Sequence, residues 1–513
     1  MTFWLALLLS GLSGLVALSS ELIWFRTWSF AVMGMASSFG ALLGLYLLGI
    51  AVGSFASGRL CRDRTAEALR PIVRAIALCV LAASVLGFLV TPVIALASLL
   101  DRRSAALLFV ALTTTLLGAV FPLISHLGVS PDDRAGSRVS YLYVANIVGS
   151  ATGSLLTGFV LMDLWPLRTL ATVVALAGLV LSAGVLLLSR PSRAGLAGGG
   201  AAIVAVAAAV VALGPTLYRD AYEKMQQGPA YDPAHPFAHI VETRSGVITV
   251  TDDGQIYGGG AYDGVFQVDL HDDRNGIFRA LAMGAMRPDA REVFMVGLAS
   301  GSWARVIAAF PSIRHLTIVE INPGYLELLK LYPGGAELLA NRKVTIVIDD
   351  ARRWLQRHPD ERFDLVVQNT TWHWRGHITN LLSREYLELV RAHLTPGGLF
   401  YYNTTFSPNA QKTAVTVFPH AWRVDGFVAV SDAPIAFDKA RWRAFMESYR
   451  LDGRPLLDTT VARDREVLEK LLADADKIDA TKRNTGFETH GHMAARLADV
   501  ELVTDDNMIV EWR

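Results

Sequence analysis

The chain has 513 residues, 52% of them hydrophobic, a mean hydropathy of +0.36 and a formal charge of zero. The length allows two or three domains, and the hydropathy is too high for a wholly soluble protein. The zero charge is a balance of opposites: up to Gly214 thirteen arginines face seven acids, a net +6, which leaves 34 bases against 40 acids, a net −6, for the remainder. An acidic second part gives no electrostatic reason to bind nucleic acid. Both cysteines, Cys61 and Cys79, lie in the first part, so no disulfide framework holds the second.

Apolar runs of about 20 residues suit a bilayer core of about 30 Å crossed at 1.5 Å per residue. Seven are present, at about 3–25, 30–56, 72–98, 105–128, 141–162, 168–189 and 196–217. The first has no basic stretch ahead of it and further spans follow, which argues against a cleaved signal peptide. The seventh, "GLAGGGAAIVAVAAAVVALGP", is also readable as a buried soluble helix or as part of a hairpin with the sixth. Gly40, Gly44, Gly49, Gly53, Gly149 and Gly153 recur four or five apart, the spacing of close helix packing in lipid. Glu21 and Arg26 fall near the end of the first run, where they read as an interfacial pair or as a functional charge within the membrane.

The loops after the second, fourth and sixth runs hold nine arginines and the opposite set holds four. Arginine-rich short loops stay in the cytoplasm, so the even loops and the N-terminus are expected there and the globular part on the extracytoplasmic side. The expected setting is a multi-pass protein of the plasma (inner) membrane, with residues 1–217 in the lipid bilayer. Further membrane proteins or a second copy of the chain are the other partner classes.

Residues 218–274 are expected to form a linker and a small antiparallel β-unit. "HIVETR", "GVITVTDDG" and "YDGVFQVDL" alternate with period two around an Asp-Gly turn. From Asn275 to Arg513 helices and strands alternate, with strands at "EVFMVG", "HLTIVEI", "KVTIVI", "FDLVVQ" and "GLFYYN" and helices at Ser302–Phe310 and Arg384–His393. That is a Rossmann-like, doubly wound α/β sheet.

Ligand chemistry is read from the strand ends. "VGLASGSWARV" places Gly297, Ser300 and Gly301 where the first strand turns into the first helix, so backbone N–H groups can face a ligand, although the spacing is not GxGxxG. Glu320 ends the second strand 23 residues after Gly297, where a carboxylate accepts ribose hydroxyls or else caps a helix. Asp349 and Asp350 end the third, placed to accept from an adenine amino group or to cap the helix at Ala351. Three such features at successive strand ends point to a nucleoside-shaped crevice.

The fourth strand runs into "NTTWHW", a place where many enzymes keep a working carboxylate. Gln368, Asn369, Thr370 and Thr371 supply none. The same loop offers His373 and His377 as titratable groups, Trp372 and Trp374 as stacking faces and Arg375 as an anion clamp; the competing reading is a loop packed on the helical part or on a partner. Asp505 and Asp506 are alternative carboxylates or turn residues. The "HGH" of His490–His492 is too short and isolated to support a metal site.

Taken together, "SGLVALSSELIWFRTW", "DGVFQ" (Asp263–Gln267), "VGLASGS", "VEIN", "DDARRWL", "NLLSREYLELVRAHLTPGG" and "TDDNMIVEW" resemble the membrane-fused branch of the spermidine synthase family. The resemblance implies a multi-span helical part joined to a small β-domain and a methyltransferase-like Rossmann domain. It also implies decarboxylated S-adenosylmethionine as aminopropyl donor and a diamine as acceptor. On it, Gly297, Ser300, Gly301, Glu320, Asp350 and Gln267 would bind the cofactor, with S-adenosylmethionine and methylthioadenosine as related ligands.

The chain departs from the family where the chemistry sits. The two aspartates after the fourth strand, one of them the base, are absent from Gln368–Trp372; Ser300 replaces an acid, Ala238 a glutamine, and a Tyr-Gln pair is missing near Gly276–Ile277. A protonated amine must lose a proton before it attacks a sulfonium, and a general base contributes about 10²–10⁴-fold to such a step. His373, Asp505 and Asp506 are the remaining catalytic candidates. Two function classes therefore stand: a transferase using an S-adenosyl-type donor with an acceptor other than an ordinary diamine, or a catalytically inactive binding or assembly module, with no cofactor or only a bound one.

Overall fold

The computed structural model describes residues 2–61, 66–189, 192–369, 372–476 and 487–512. They fall into two compact units, Met1–Pro236 with Glu242–Gly246, and Phe237–Val241 with Val247–Arg513.

The first unit is helical: α1 (Phe3–Ala31), α2 (Ser37–Ser57), α3 (Ala66–Leu99), α4 (Ala106–Gly128), α5 (Ala135–Leu156), the short α6 (Met162–Leu164), α7 (Leu167–Leu188), α8 (Arg193–Leu217) and α9 (Ala221–Gln227). Among the described residues seven of its helical segments are long and apolar enough to cross a membrane. They match the seven apolar runs, and α8 forms over the seventh. α1 continues to Ala31, beyond the expected end, because Trp24, Trp28 and Phe30 are all buried and hold its last turns. A π-helical turn, Thr157–Leu161, joins α5 to α6.

Glycines set two close helix pairs. A Cβ on Gly53 of α2 would strike the Thr115 carbonyl of α4, and one on Gly118 of α4 the Ile50 backbone of α2. α1 and α5 meet likewise, where a Cβ on Gly149 would strike Gly11. Such contacts let backbones approach and gain dispersion where no hydrophobic force acts between helices in lipid. The expected role fails at Gly40 and Gly44, which have nothing within 4 Å of a built Cβ; they lie on the side of α2 turned away from α4. Arg26 is not paired with Glu21. Its guanidinium lies 3.7 Å from Glu242, whose carboxylate also accepts the Tyr222 hydroxyl at 2.9 Å and the Leu167 N–H at 3.0 Å. Burial raises the Glu242 carboxyl, against the opposing pull of Arg26 and Tyr222.

The second unit opens with a four-stranded antiparallel sheet in the order β1 (His239–Thr243), β2 (Gly246–Val250), β3 (Gln255–Gly258), β4 (Ala261–Val265). The larger sheet has β5 (Glu292–Val296), β6 (His315–Glu320), β7 (Val344–Ile348), β8 (Phe363–Gln368), β9 (Leu394–Asn403), β10 (His420–Val424) and β11 (Phe427–Ser431). The two-residue β12 (Arg450–Leu451) and β13 (Arg454–Pro455) pair separately, and β14 (Phe487–Thr489) completes the large sheet in the order β14-β10-β11-β9-β8-β5-β6-β7. From β9 to β7 its strands are parallel, and β11, β10 and β14 extend it antiparallel.

Helices cover both faces: α10 (Ile277–Met286), α11 (Ser302–Ala308), α12 (Gly324–Leu329), α13 (Pro333–Ala340), α14 (Ala351–Arg357), α15 (Arg384–Ala392), α16 (Pro408–Val417), α17 (Lys439–Ser448), α18 (Ala462–Asp474) and α19 (His490–Arg496). Alternate strand residues feed two cores. Val293, Met295, Leu365 and Tyr401 pack with α10, α11 and α17, while Phe294, Val296, Val366 and Phe400 pack with α14, α15 and α16. A strand buried on both faces needs such a continuous apolar run, which is what "EVFMV" and "FDLVV" supply. At the antiparallel end, buried Arg423 of β10 pairs with Glu488 of β14 at 2.8 Å, and Arg496 of α19 closes the cluster.

Candidate functional site

The crevice lies where β5, β6 and β7 end. After β5 the chain turns at Gly297 and Gly301, whose φ angles of +84° and +72° only glycine adopts without strain. Gly297 is fixed by donating its N–H to Val319 of β6 at 2.9 Å. The turn thus brings the Leu298 N–H to Glu320, which accepts it on Oε2 at 2.8 Å and the Asn322 N–H on Oε1 at 2.7 Å. Glu320 is 4% exposed. Burial pushes its carboxyl up to about 7; the backbone N–H groups of Asn322, Leu298 and Ile321 oppose this and the Asp263 charge adds to it. The Ile321 N–H is drawn to the same carboxylate, which leaves one of its roughly four lone-pair sites, so Glu320 can hold the turn and still accept one hydroxyl.

Beside it is a group that the sequence reading passed over. Tyr325 of α12 donates its hydroxyl to Asp263 of β4 in a short hydrogen bond. Burial raises the Asp263 carboxyl, and Arg375, Tyr325 and Gly258 pull it back. The Tyr325 phenol is driven well above its usual value by burial first, then by the Asp263 and Glu320 charges. Arg375 reaches the β3–β4 turn, 2.7 Å from where a Cβ on Gly259 would stand. Asp263, Glu320, Tyr325 and Arg375 thus form one electrostatic group. The sequence singled out Glu320 and Arg375 separately and held Asp263 within "DGVFQ", but gave no sign of Tyr325 or of the grouping.

Asn275 pins that segment to the crevice. It accepts the Val265 N–H at 2.9 Å and donates to the carbonyls of Val265 and Gln267 at 2.8 and 2.7 Å. Ser302 adds a bond to the Val265 carbonyl at 3.0 Å. A side chain on Gly264 would sit 2.7 Å from the Asn275 carbonyl oxygen.

The other sequence-predicted residues are partly occupied. Gln267 is half-buried and donates to the Asp272 carbonyl at 3.0 Å. Ser300 is buried and donates to Ser302 at 3.0 Å. Asp350 caps α14 by accepting the Arg353 N–H at 2.7 Å. Its neighbour Asp349 pairs with Arg353 and Arg357, and the Arg353 guanidinium holds its carboxyl below the usual range.

Asp505 makes a two-pronged pair with Arg352 at 2.8 and 2.6 Å and accepts the Ser383 hydroxyl at 2.6 Å. Arg352 first, then Ser383, keeps its carboxyl low, so it is a structural clamp and a poor base. Asp506 lies exposed in a turn. At the end of β8, Gln368 is buried and donates to the Leu381 carbonyl at 2.9 Å, and Asn369 meets Asn403 at 3.4 Å. Thr370 and Thr371 lie outside the described residues. His373 is half-buried; its backbone N–H and its Nδ1 both contact the Thr405 hydroxyl, at 3.0 and 2.7 Å. Trp372 and Trp374 stack with centroids 6.3 Å apart. Glu511 accepts the backbone N–H groups of His377 and Thr379 at 3.0 and 2.9 Å. Among the described residues no three His, Cys, Asp or Glu side chains are grouped to hold a metal ion.

Residues 281–421, from α10 to β10, match the family described as the spermine/spermidine synthase domain. Over those residues the globular part resembles a synthase domain of that type. The chain is 28% identical over 347 residues to polyamine aminopropyltransferase of Mycobacterium tuberculosis, covering 63% of this chain and 62% of that one. It is 26% identical over 298 residues to polyamine aminopropyltransferase 2 of Streptomyces coelicolor, covering 55% and 52%. The matched region is thus less than two thirds of either relative. Of solved structures, spermidine synthase in complex with the transition state analogue AdoDATO is similar at a TM-score of 0.37 and 18% identity, covering 46% of this chain and 85% of that one. Spermidine synthase from Thermotoga maritima gives 0.36 and 16%, covering 46% and 84%. The matched region places Glu320 and the Gly297–Gly301 turn together and leaves the segment after β8 with amides and hydroxyls.

Proposed function

We propose that the chain is a membrane-anchored transferase whose synthase domain takes an S-adenosyl-type donor and an acceptor other than an ordinary diamine. The observation that carries this is Glu320, buried at the end of β6 and bonded to the turn after β5. A carboxylate there accepts ribose hydroxyls. Decarboxylated S-adenosylmethionine or S-adenosylmethionine is the donor class, and methylthioadenosine the product or dead-end ligand. A dicationic acceptor is disfavoured, because Gln368 to Trp372 supply no negative charge and Arg375 adds a positive one near Asp263. A second reading, a binding module without turnover, is favoured by the state of Asp505, tied to Arg352.

The helical unit anchors the domain in the plasma (inner) membrane. The arginine excess of nine against four favours the extracytoplasmic side for the domain. The test is product formation by the purified full chain with decarboxylated S-adenosylmethionine and putrescine, beside methylthioadenosine release with other amine and thiol acceptors. No turnover on putrescine and release with another acceptor is the expected result. Turnover on putrescine near 1 s⁻¹, the low end of typical enzymes, refutes the altered acceptor. Ligand binding with no release for any acceptor favours the module.

A further inference from the structure

Inside the helical unit lies a cavity of about 300 Å³, at the lower end of small-molecule sites. Six helices build its wall, each from near the middle of its length: Ala17 of α1, Tyr46 of α2, Ser84 of α3, Gly118 of α4, Asn146 of α5 and Ala175 of α7. If these helices span a bilayer, as proposed above, the cavity sits at mid-membrane depth. Its wall is mostly apolar and holds no charged side chain.

Tyr46 is the second observation. It is 6% exposed and lines the cavity, and its hydroxyl has no hydrogen-bond partner among the described residues. Buried polar groups are nearly always bonded, so a partner is missing on the cavity side. Several of the other polar groups have spent donors inside the helices. Ser20 and Ser84 donate one turn back, to the Val16 and Val80 carbonyls at 2.9 and 2.7 Å. Trp24 donates to Gly87 at 2.9 Å and Asn146 to Ser10 at 3.0 Å. What remains toward the space is oxygen lone pairs and the hydroxyls of Tyr46, Tyr143 and Ser150, of which Tyr46 alone is buried. An uncharged, acceptor-rich, largely apolar chamber complements a neutral apolar molecule with an O–H donor. Water alone would complete the polar edge and leave the apolar wall unmatched.

We propose that this chamber is a binding site for a membrane-soluble alcohol. The test uses the full chain in lipid nanodiscs, with octanol and octane probes that each carry a photoactivatable diazirine, and unlabelled 1-octanol as competitor. Octanol-probe adducts are expected on the α1 and α3 residues of the wall, removed by competitor and lost in Ala17→Phe, which fills the space. Should that variant fail to fold, Ser84→Leu fills it from α3. Tyr46→Phe keeps the ring and removes the hydroxyl; it is expected to weaken the octanol probe about fivefold, one ordinary hydrogen bond, and to leave the octane probe unchanged. Adducts spread over outward-facing Leu47 and Val144 without competition overturn the site. Equal competition by both probes, insensitive to Tyr46→Phe, overturns the alcohol head group. A chain soluble without detergent refutes the membrane-spanning reading alone, since the adduct positions report on the cavity by themselves.

Discussion

Replacing Glu320 by glutamine probes the crevice through its charge. The carboxyl titrates near 7 in the folded chain against an ordinary 4.5. The folded state therefore holds an extra proton between those values, and stability is full below 4.5 and falls as pH rises through 7. A shift of 2.5 units corresponds to on the order of 3 kcal/mol. Glu320→Gln cannot ionise, so that slope disappears. The amide leaves one of the Leu298 and Asn322 N–H donors facing an NH₂ group, which costs about 1–3 kcal/mol. The variant is thus expected to be less stable than wild type at pH 5 and about equal to it, or better, at pH 8. Ligand affinity moves the opposite way, because ribose hydroxyls donate to the ionised form. A charge-assisted bond of about 1.5–3 kcal/mol is about 10–150-fold in Kd. Methylthioadenosine should bind more weakly as pH drops below 7, by up to about tenfold per unit, and Glu320→Gln should flatten that dependence. Calorimetric titrations and melting curves of the detergent-solubilised chain from pH 5.5 to 8.5 measure both. Affinity independent of pH, or binding to Glu320→Gln as tight as to wild type, would place the ligand elsewhere and refute the reasoning.

Asp505→Asn should lower the stability of the globular part by about 1–3 kcal/mol, the loss of charged hydrogen bonds to Arg352 and Ser383, with methylthioadenosine affinity unchanged in the same titration; a selective loss of turnover at unchanged stability would instead make it a base. Gly53→Ala, which presses on the Thr115 carbonyl, should cost about 1–3 kcal/mol or more of helix packing, while Gly44→Ala, with open space around it, should cost nothing measurable. Folded yield and melting in detergent compare the two directly. A C-terminal alkaline phosphatase fusion should be active and a C-terminal green fluorescent protein fusion dark; the reverse pattern puts the synthase domain in the cytoplasm, where nucleotide donors are made.

Apolar run length revealed the seven long helices, and the five parallel strands β5 to β9 were legible from helix–strand alternation. β3, at "QIYG", was missed because four residues between two turns show no periodicity. β10, β11 and β14 were missed for a different reason: a buried "FVAVS" does not say which strand it pairs with, and β14 reaches β10 across 63 residues. At the site, Gly297, Gly301 and Glu320 were legible from their places at strand ends. The Asp263–Tyr325 bond was not, since it joins residues 62 apart that only the folded hairpin brings together. For Asp350 the sequence allowed a cap or an adenine acceptor, and the cap is formed, with its second oxygen left over. Arg26 was paired with the nearest acid in sequence, whereas its partner Glu242 is 216 residues away.

The grip of Glu511 on the N–H groups of His377 and Thr379 also sets an order of synthesis. Those amides leave the ribosome more than 130 residues before their acceptor does. The seven long apolar helices among the described residues have been made by Leu217, so they can form while the segment after β8 still lacks its last anchor. The helical unit is therefore the early product of translation and the ligand site the final one. A chain lacking Glu511 would carry all seven apolar helices with the His377–Thr379 segment unfastened.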